Sequence, residues 1–355
     1  MKIAQVRIVG TGLIGTSIAL GLAGRGIKVV LVDSDPENER LARDLLSGSL
    51  GSGESDLTIL ATPPLSTFEV LQKEFARNPD QRFIDTGSVK TKLLNEVEKL
   101  PELASRFLGT HPMAGRESGG ARFAQGDLFQ GRAWFLVPTK MTERDLVDDV
   151  NELVQHLGAT TYEIGGEEHD VLLASISHLP QVISSSLASS IVGSPHLELA
   201  GQGLRDMVRI AGSDPMLWSE IFLSNKENVV ASIDNFIESL MGFRHALADS
   251  NLGAIKSIFE QGALGRQKVS GKHGSQPRNY VQLLIVIEDK PGQLAALFDE
   301  CASAKVNVED LSIEHSPGQF TGLITLALSE SDSEKLSDHL RKKNWSVHAA
   351  RSSLQ

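Results

Sequence analysis

Two stretches of the sequence carry residue types that could do chemistry. In "VGTGLIG", Gly10, Gly12 and Gly15 stand in G-x-G-x-x-G spacing. Between a strand and a helix, such a loop brings backbone N–H groups and a helix N-terminus to a pyrophosphate. Gly10 permits the tight turn, Gly12 lets the phosphates approach the backbone and Gly15 lets helix and strand pack closely. Leu13 and Ile14, between these glycines, complete the candidate cofactor loop. Asp33 follows Gly15 by eighteen residues, at the end of the next strand pattern. A carboxylate there can accept hydrogen bonds from ribose hydroxyls and repels a 2′-phosphate, which predicts NAD rather than NADP. The alternative is a structural turn and a solvated aspartate.

The second stretch is "HPMAGRESGG", His111 to Gly120, which puts an imidazole, a guanidinium (Arg116) and a carboxylate (Glu117) on a glycine-rich loop. His111 is expected to follow the strand "RFLGT", at the carboxyl edge of the sheet, where ligands of open α/β folds bind. An imidazole titrating near neutrality suits general acid–base work. A second strand-end loop, "DTGSVK", contains Ser88, which could hydrogen-bond the imidazole and fix its tautomer. A packing imidazole is the alternative. Together the two stretches point to hydride transfer, in which a nicotinamide cofactor carries the chemistry and the protein holds and polarises the substrate.

The elements that must position these residues follow from periodicity. Up to about residue 166, short apolar runs ("IAQVRIVG", "KVVLVD", "DLTILAT", "RFIDTG", "RFLGTH", "AWFLVPT") alternate with helical patterns. That order predicts an α/β, Rossmann-type, doubly wound parallel sheet with helices on both faces. Over residues 167–268 strand patterns give way to helical ones, predicting an all-α substrate and dimerisation domain. "GRQKVSGKHGSQPRN" reads as a linker. Residues 278–355 show a β-α-β-β-α-β order, a small ferredoxin-like unit.

Composition narrows the function classes. The chain has 355 residues and a formal net charge of −11. It lacks the Lys/Arg runs of a basic face, so a nucleic-acid partner is not expected. Cys301 is the single cysteine, which excludes an intrachain disulfide and a Cys-rich metal cluster, and no metal is expected. The chain opens directly on a strand pattern and has no apolar run of spanning length, so a cytoplasmic protein without a membrane partner is expected.

Five motifs in order, "GTGLIGTS", "DTGSVK", "HPMAGRESG", "SHLPQ" and "RDMVRIAGSDPMLW", resemble those of the prephenate/arogenate dehydrogenase family of tyrosine biosynthesis, over residues 3 to about 260. The resemblance implies oxidative decarboxylation of prephenate to 4-hydroxyphenylpyruvate, with oxidation of arogenate as the alternative. It implies that His111 accepts the substrate hydroxyl proton and that Ser88 orients it. Arg209 would bind a substrate carboxylate through its planar fork, or belong to a solvated basic face. His178 would be a second pocket histidine, or a core histidine. Glu117, Arg205, Asp206 and Trp218 match a set around the pocket mouth, some contributed by the partner subunit of a homodimer. A nucleotide-sensing protein without chemistry would not need Ser88, His111 and Arg209 together. The tail, with "EDKPGQLAALF", resembles an ACT domain, which implies an amino-acid effector such as L-tyrosine.

Overall fold

The computed structural model describes residues 3–46, 48–115, 119–269, 280–288, 290–315, 321–348 and 351–352. The chain divides into two compact units, Met1–Leu252 and Gly253–Gln355.

The first unit begins as a βα series: β1 (Gln5–Val9), α1 (Leu13–Ala23), β2 (Lys28–Val32), α2 (Pro36–Leu45), β3 (Leu57–Leu60), α3 (Thr67–Arg77), β4 (Phe83–Asp85), α4 (Thr91–Val97), α5 (Pro101–Ser105) and β5 (Phe107–Pro112). β6 (Ala133–Val137), α6 (Arg144–His156) and β7 (Thr160–Glu163) complete the sheet, whose order is β2-β1-β3-β4-β5-β6-β7. Side chains alternate between its faces, as strand geometry requires. Ile8, Ile59, Leu108 and Leu136 enter one apolar core with α1 and α6, through Ile18, Leu22, Val150 and Val154. Their neighbours Val9, Leu60, Phe107 and Phe135 enter a second core with α3 and α4, through Leu71, Leu94 and Val97. Both faces are therefore covered, and the strands read as nearly continuous apolar runs.

β1 to β5 run parallel, so their carboxyl ends share one edge. Leu50 adds a single parallel bridge to Val29 of β2. It occupies the outer position of the 3-2-1-4-5-6 order of a dinucleotide-binding sheet, cut down to one residue. The expectation of an all-parallel sheet needs one correction: β6 is antiparallel to β5, with His111 opposite Phe135.

The rest of the unit is helical: α7 (Gly166–Leu173), a π-helical turn (Ala174–His178), α8 (Leu179–Ile191), α9 (Gln202–Val208), α10 (Pro215–Ser224) and α11 (Lys226–Ala248). The continuous helix Gly166–Ile191 is apolar and long enough to cross a membrane. It nevertheless buries His169, Asp170, His178, Gln181 and Ser184, the polar load of a helix packed within a protein. Asp170 ties this helical domain to the sheet. Its carboxylate accepts the backbone N–H of Lys90 (2.9 Å) and of Thr91 (2.8 Å), the free donors at the start of α4. No side chain of the α4 segment caps that end itself.

The second unit contains α12 (Leu252–Lys268), β8 (Val281–Glu288), α13 (Gln293–Ser303), β9 (Asp310–His315), β10 (Thr321–Leu328), α14 (Glu330–Lys342), β11 (Ser346–Val347) and β12 (Arg351–Ser352). The sheet order β11-β8-β10-β9 is antiparallel throughout, and β12 also pairs with β8. One face carries Leu283, Ile285, Ile324 and Leu326 against Leu297, Cys301, Leu336 and Leu340 of the helices. The β-α-β-β-α-β order is that of a ferredoxin-like unit.

Asp170→Ala removes a remote helix cap and leaves buried donors without acceptors. It is expected to lower unfolding free energy by about 3 kcal/mol, on typical costs of a lost cap and an unsatisfied buried donor. A urea midpoint unchanged from the wild type would contradict this account.

Candidate active site

The glycine loop lies at the carboxyl end of β1. Gly10 has φ +99°, and a Cβ there would stand 2.4 Å from the Ala61 carbonyl oxygen. A Cβ on Gly15 would stand 2.0 Å from the Gly10 carbonyl oxygen, so helix and loop meet backbone to backbone. Gly12 differs: nothing lies within 4 Å of where its Cβ would be. It is the N-cap of α1, and no side chain caps that helix end. The first N–H groups of α1, from Leu13 and Ile14 onward, thus face a clear approach, which fits a pyrophosphate.

Asp33 sits one residue beyond β2. Its Oδ2 accepts the Thr11 backbone N–H (2.6 Å) and the Thr11 hydroxyl (2.8 Å), and its Oδ1 accepts the Asp35 N–H (2.9 Å). The carboxylate therefore anchors the glycine loop, a task the sequence did not reveal. Its Oδ1 keeps a lone pair for a ribose hydroxyl. The residues present fit a dinucleotide.

The second centre forms where β4 and β5 end. His111 lies within β5 rather than after it, and is 9% exposed. Its Nδ1 is 3.0 Å from Nε2 of His169, and Nδ1 of His169 is 2.8 Å from Oδ1 of Asp170. The expectation that Ser88 orients the imidazole is corrected here: among the described residues the hydrogen-bond partner of His111 is His169. Ser88 lies half-buried in the loop between β4 and α4, on the same carboxyl edge. In that loop Lys90 is fully buried, its ammonium paired with Asp85. Asp85 also accepts the Thr110 N–H next to His111 (3.2 Å).

His178 is 1% exposed. The Asn225 amide nitrogen lies 2.8 Å from the Asp170 carbonyl oxygen, to which it donates, and 3.2 Å from His178 Nδ1. With Nδ1 as acceptor, the His178 hydrogen resides on Nε2, which is buried and has no partner among the described residues. An orphaned buried donor suits an anionic ligand group. The His178 ring packs against Trp218 and Phe222, with centroids 6.2 and 6.4 Å away.

His178 and Trp218 are thus brought together, and His178 lies close enough to disfavour charge on His111. Arg209 is exposed at the head of the turn Arg209–Gly212. Gln181, on α8 just after His178, pins that turn by donating to the Ile210 carbonyl (2.9 Å). Arg205 and Asp206 are exposed on α9, where they bond the Ala200 carbonyl and the Gln202 amide respectively, not the buried histidines. Glu117 lies outside the described residues. The sequence reading missed His169, Asp170, Lys90, Asp85 and Asn225. The signal available was "EEHD", whose His169 stands nine residues before His178 of "SHLPQ": an adjacent His–Asp pair on an otherwise apolar helix.

The electrostatics favour neutral imidazoles. Burial, then His169, Lys90 and His178, hold His111 well below the ordinary imidazole value. Burial also lowers His169, against the pull of Asp170. His178 is lowered to about 4, by burial first. Burial alone would raise Asp170, but hydrogen bonds from His169, Thr91 and Lys90 hold its carboxyl below the ordinary value. Lys90 is lowered by burial, with Asp85 opposing.

With this geometry in view, the comparisons identify the family. A family model described as "Prephenate dehydrogenase, nucleotide-binding domain" matches residues 18–163, and one described as "Prephenate dehydrogenase, dimerization domain" matches residues 165–261. The chain belongs to the prephenate dehydrogenase family. The prephenate dehydrogenase of Lactococcus lactis subsp. cremoris is 29% identical over 334 residues, 89% of this chain and 92% of the relative. The crystal structure of prephenate dehydrogenase from A. aeolicus in complex with hydroxyphenyl propionate and NAD+ is similar at 28% identity and TM-score 0.69, over 76% of this chain and 99% of that one. Synechocystis arogenate dehydrogenase is similar at 26% identity and TM-score 0.63, over 74% and 99%.

A histidine with a depressed value contributes stability that is complete above its unfolded value, 6.5, and lost as pH falls towards its folded one. For His178, whose folded value is about 4, that loss amounts to roughly 3 kcal/mol. The urea midpoint should therefore drop steadily from pH 7 to pH 4.5, and His178→Gln should flatten the decline. Equal slopes in the two proteins would rule out the buried neutral imidazole.

Proposed function

We propose that this chain is an NAD-dependent prephenate dehydrogenase, converting prephenate to 4-hydroxyphenylpyruvate and carbon dioxide. The carrying observation is the neutral, buried His111 on the same sheet edge as the open glycine loop, with the unpartnered His178 Nε2 nearby. Bound NAD supplies the hydride acceptor. The residues of this chain do the rest. His111 takes the proton of the ring hydroxyl as the carbonyl develops, a role suited to an imidazole uncharged at neutral pH. Ser88, on the neighbouring strand end, orients that hydroxyl. His178 donates to a substrate carboxylate, and Arg209 binds a carboxylate through its planar fork. Arg205, Asp206 and Trp218 form a set around the pocket mouth, some of it contributed by the partner subunit of the homodimer. Asp33 selects NAD over NADP.

A second reading, oxidation of arogenate, is favoured by the likeness to the Synechocystis enzyme. Dinucleotide reduction measured with each substrate in turn separates the two. The buried, unpaired Cys301 is in keeping with a reducing compartment, and we place the protein in the cytoplasm. It acts as a homodimer. On α11, Phe236, Ile237, Leu240 and Met241 form an exposed apolar stripe at helical spacing, and the matched dimerisation domain spans this helix.

The ferredoxin-like unit acts as an ACT domain that binds L-tyrosine. Its support is the topology and the start of α13, where Gly292 (φ +88°) is an N-cap with no side-chain bond and the helix N-terminus can receive a carboxylate.

His111→Asn should lower turnover by about 10²–10⁴-fold and leave NAD affinity nearly unchanged, on the usual size of a general-base contribution. Wild-type turnover in the folded variant would remove His111 from the mechanism. A chain shortened to end at residue 276 should keep catalysis and lose non-competitive inhibition by tyrosine. Inhibition identical to that of the full chain would place tyrosine at the active site instead.

A further inference from the structure

Behind His111 lies a hydrogen-bond chain that reaches from the sheet into the helical domain. Resting on the proposed reaction, we infer that His169 and Asp170 are positioning residues that fix the tautomer of His111, leaving its Nε2 bare to accept the substrate proton.

The direction of the chain follows from its far end. Asp170 Oδ1 lies 2.8 Å from His169 Nδ1, and an ionised carboxylate only accepts, so His169 carries its hydrogen on Nδ1. A neutral His169 then presents a lone pair at Nε2. That lone pair lies 3.0 Å from His111 Nδ1, which must donate to it. A neutral His111 with its hydrogen on Nδ1 has its lone pair on Nε2. The reverse arrangement would set a His169 lone pair against the carboxylate, or require His169 to be an imidazolium.

The surroundings favour the forward order. Asp170 is held as a carboxylate by three donors, the N–H groups of Lys90 and Thr91 and His169 itself. Burial keeps both His169 and His111 from charging, and the nearby Lys90 ammonium opposes an imidazolium at either ring. Asp85 neutralises Lys90 locally and accepts the N–H of Thr110, which fixes the β5 backbone one residue before His111. His178 is tied to the same helix turn through Asn225, which bonds the Asp170 carbonyl. The rings of His169 and Phe135 also pack in a T, with centroids 5.3 Å apart and planes at 85°, so the imidazole has little freedom to rotate.

A base in the wrong tautomer cannot take the proton even when correctly placed, and in a serine protease triad that fault costs about 10⁴-fold. His169→Ala should therefore lower kcat at least about 10-fold, with KM for prephenate and the Kd for NAD unchanged. His169→Gln, whose amide oxygen can accept from His111 Nδ1, should recover part of kcat. A merely structural role would move KM and thermal stability in step and would show no such rescue. Imidazole nitrogen NMR of the histidine-labelled wild type, with His111 assigned through His111→Asn, reads the tautomer without substrate. A hydrogen on Nδ1 and a bare Nε2 at neutral pH support the inference. A hydrogen on Nε2, or wild-type kcat in His169→Ala, overturns it. Because the spectrum needs no substrate, it decides the matter even if the assay rejects both prephenate and arogenate, an outcome that would sink the proposed reaction alone.

Discussion

The carboxylate of Asp170 is the constraint on which the site depends. It is a nearly buried negative charge that accepts from the start of α4, from His169 and, through its own backbone carbonyl, from Asn225. An ion removed from water needs such a set of donors to be tolerable. The dipole of α4 adds a favourable field at the same place. The helical domain is thereby fixed to the sheet at the point where His111 is held, so domain packing and the placement of that imidazole share one set of bonds.

A second consequence of burial concerns charge state. Three imidazoles, His111, His169 and His178, lie buried near one another, and all three are pushed towards neutrality. A base with a lowered pKa is a weaker base, yet it is uncharged and available at neutral pH. In the proposed reaction the loss is offset by the substrate, since loss of carbon dioxide and aromatisation drive the proton away from the hydroxyl. The donor of His178 is buried likewise and has no partner among the described residues, so in the proposed reaction a substrate carboxylate there meets a strong partner.

Much of this was legible in the sequence, and the parts that were not share physical reasons. The glycine loop, Asp33 and His111 stand at strand ends marked by abrupt changes of periodicity, so both type and place could be read. Direction could not: the pattern of "AWFLVPT" is the same whether β6 runs parallel or antiparallel. Leu50 was invisible because a one-residue bridge has no periodicity. His169 and Asp170 looked like polar residues at the start of an amphipathic helix, and only their partners in β5 and α4 make them part of a site. Ser88 was correctly expected at a strand end, but a hydrogen bond to a residue 58 positions further on claimed His111 Nδ1. Arg205 and Asp206 were read from motif order alone, which does not say which side of α9 faces the histidines.

The π-helical turn Ala174–His178 follows the first buried histidine of the long helix, His169, and ends on the second, His178. At 3.6 residues per turn, positions nine apart fall on opposite sides of a helix, and a wider turn changes that phase. A π turn amounts to an α-helix carrying one extra residue. His178 and the helix beyond it therefore keep the phase of an α-helix one residue shorter. Deleting Ser175 would leave a plain α-helix in which His178 keeps nearly its present angle to His169, whereas a deletion in the regular part of the helix between them would turn His178 by about 100°. A relative one residue shorter at this turn can therefore keep both histidines in register, because the helix absorbs the difference locally.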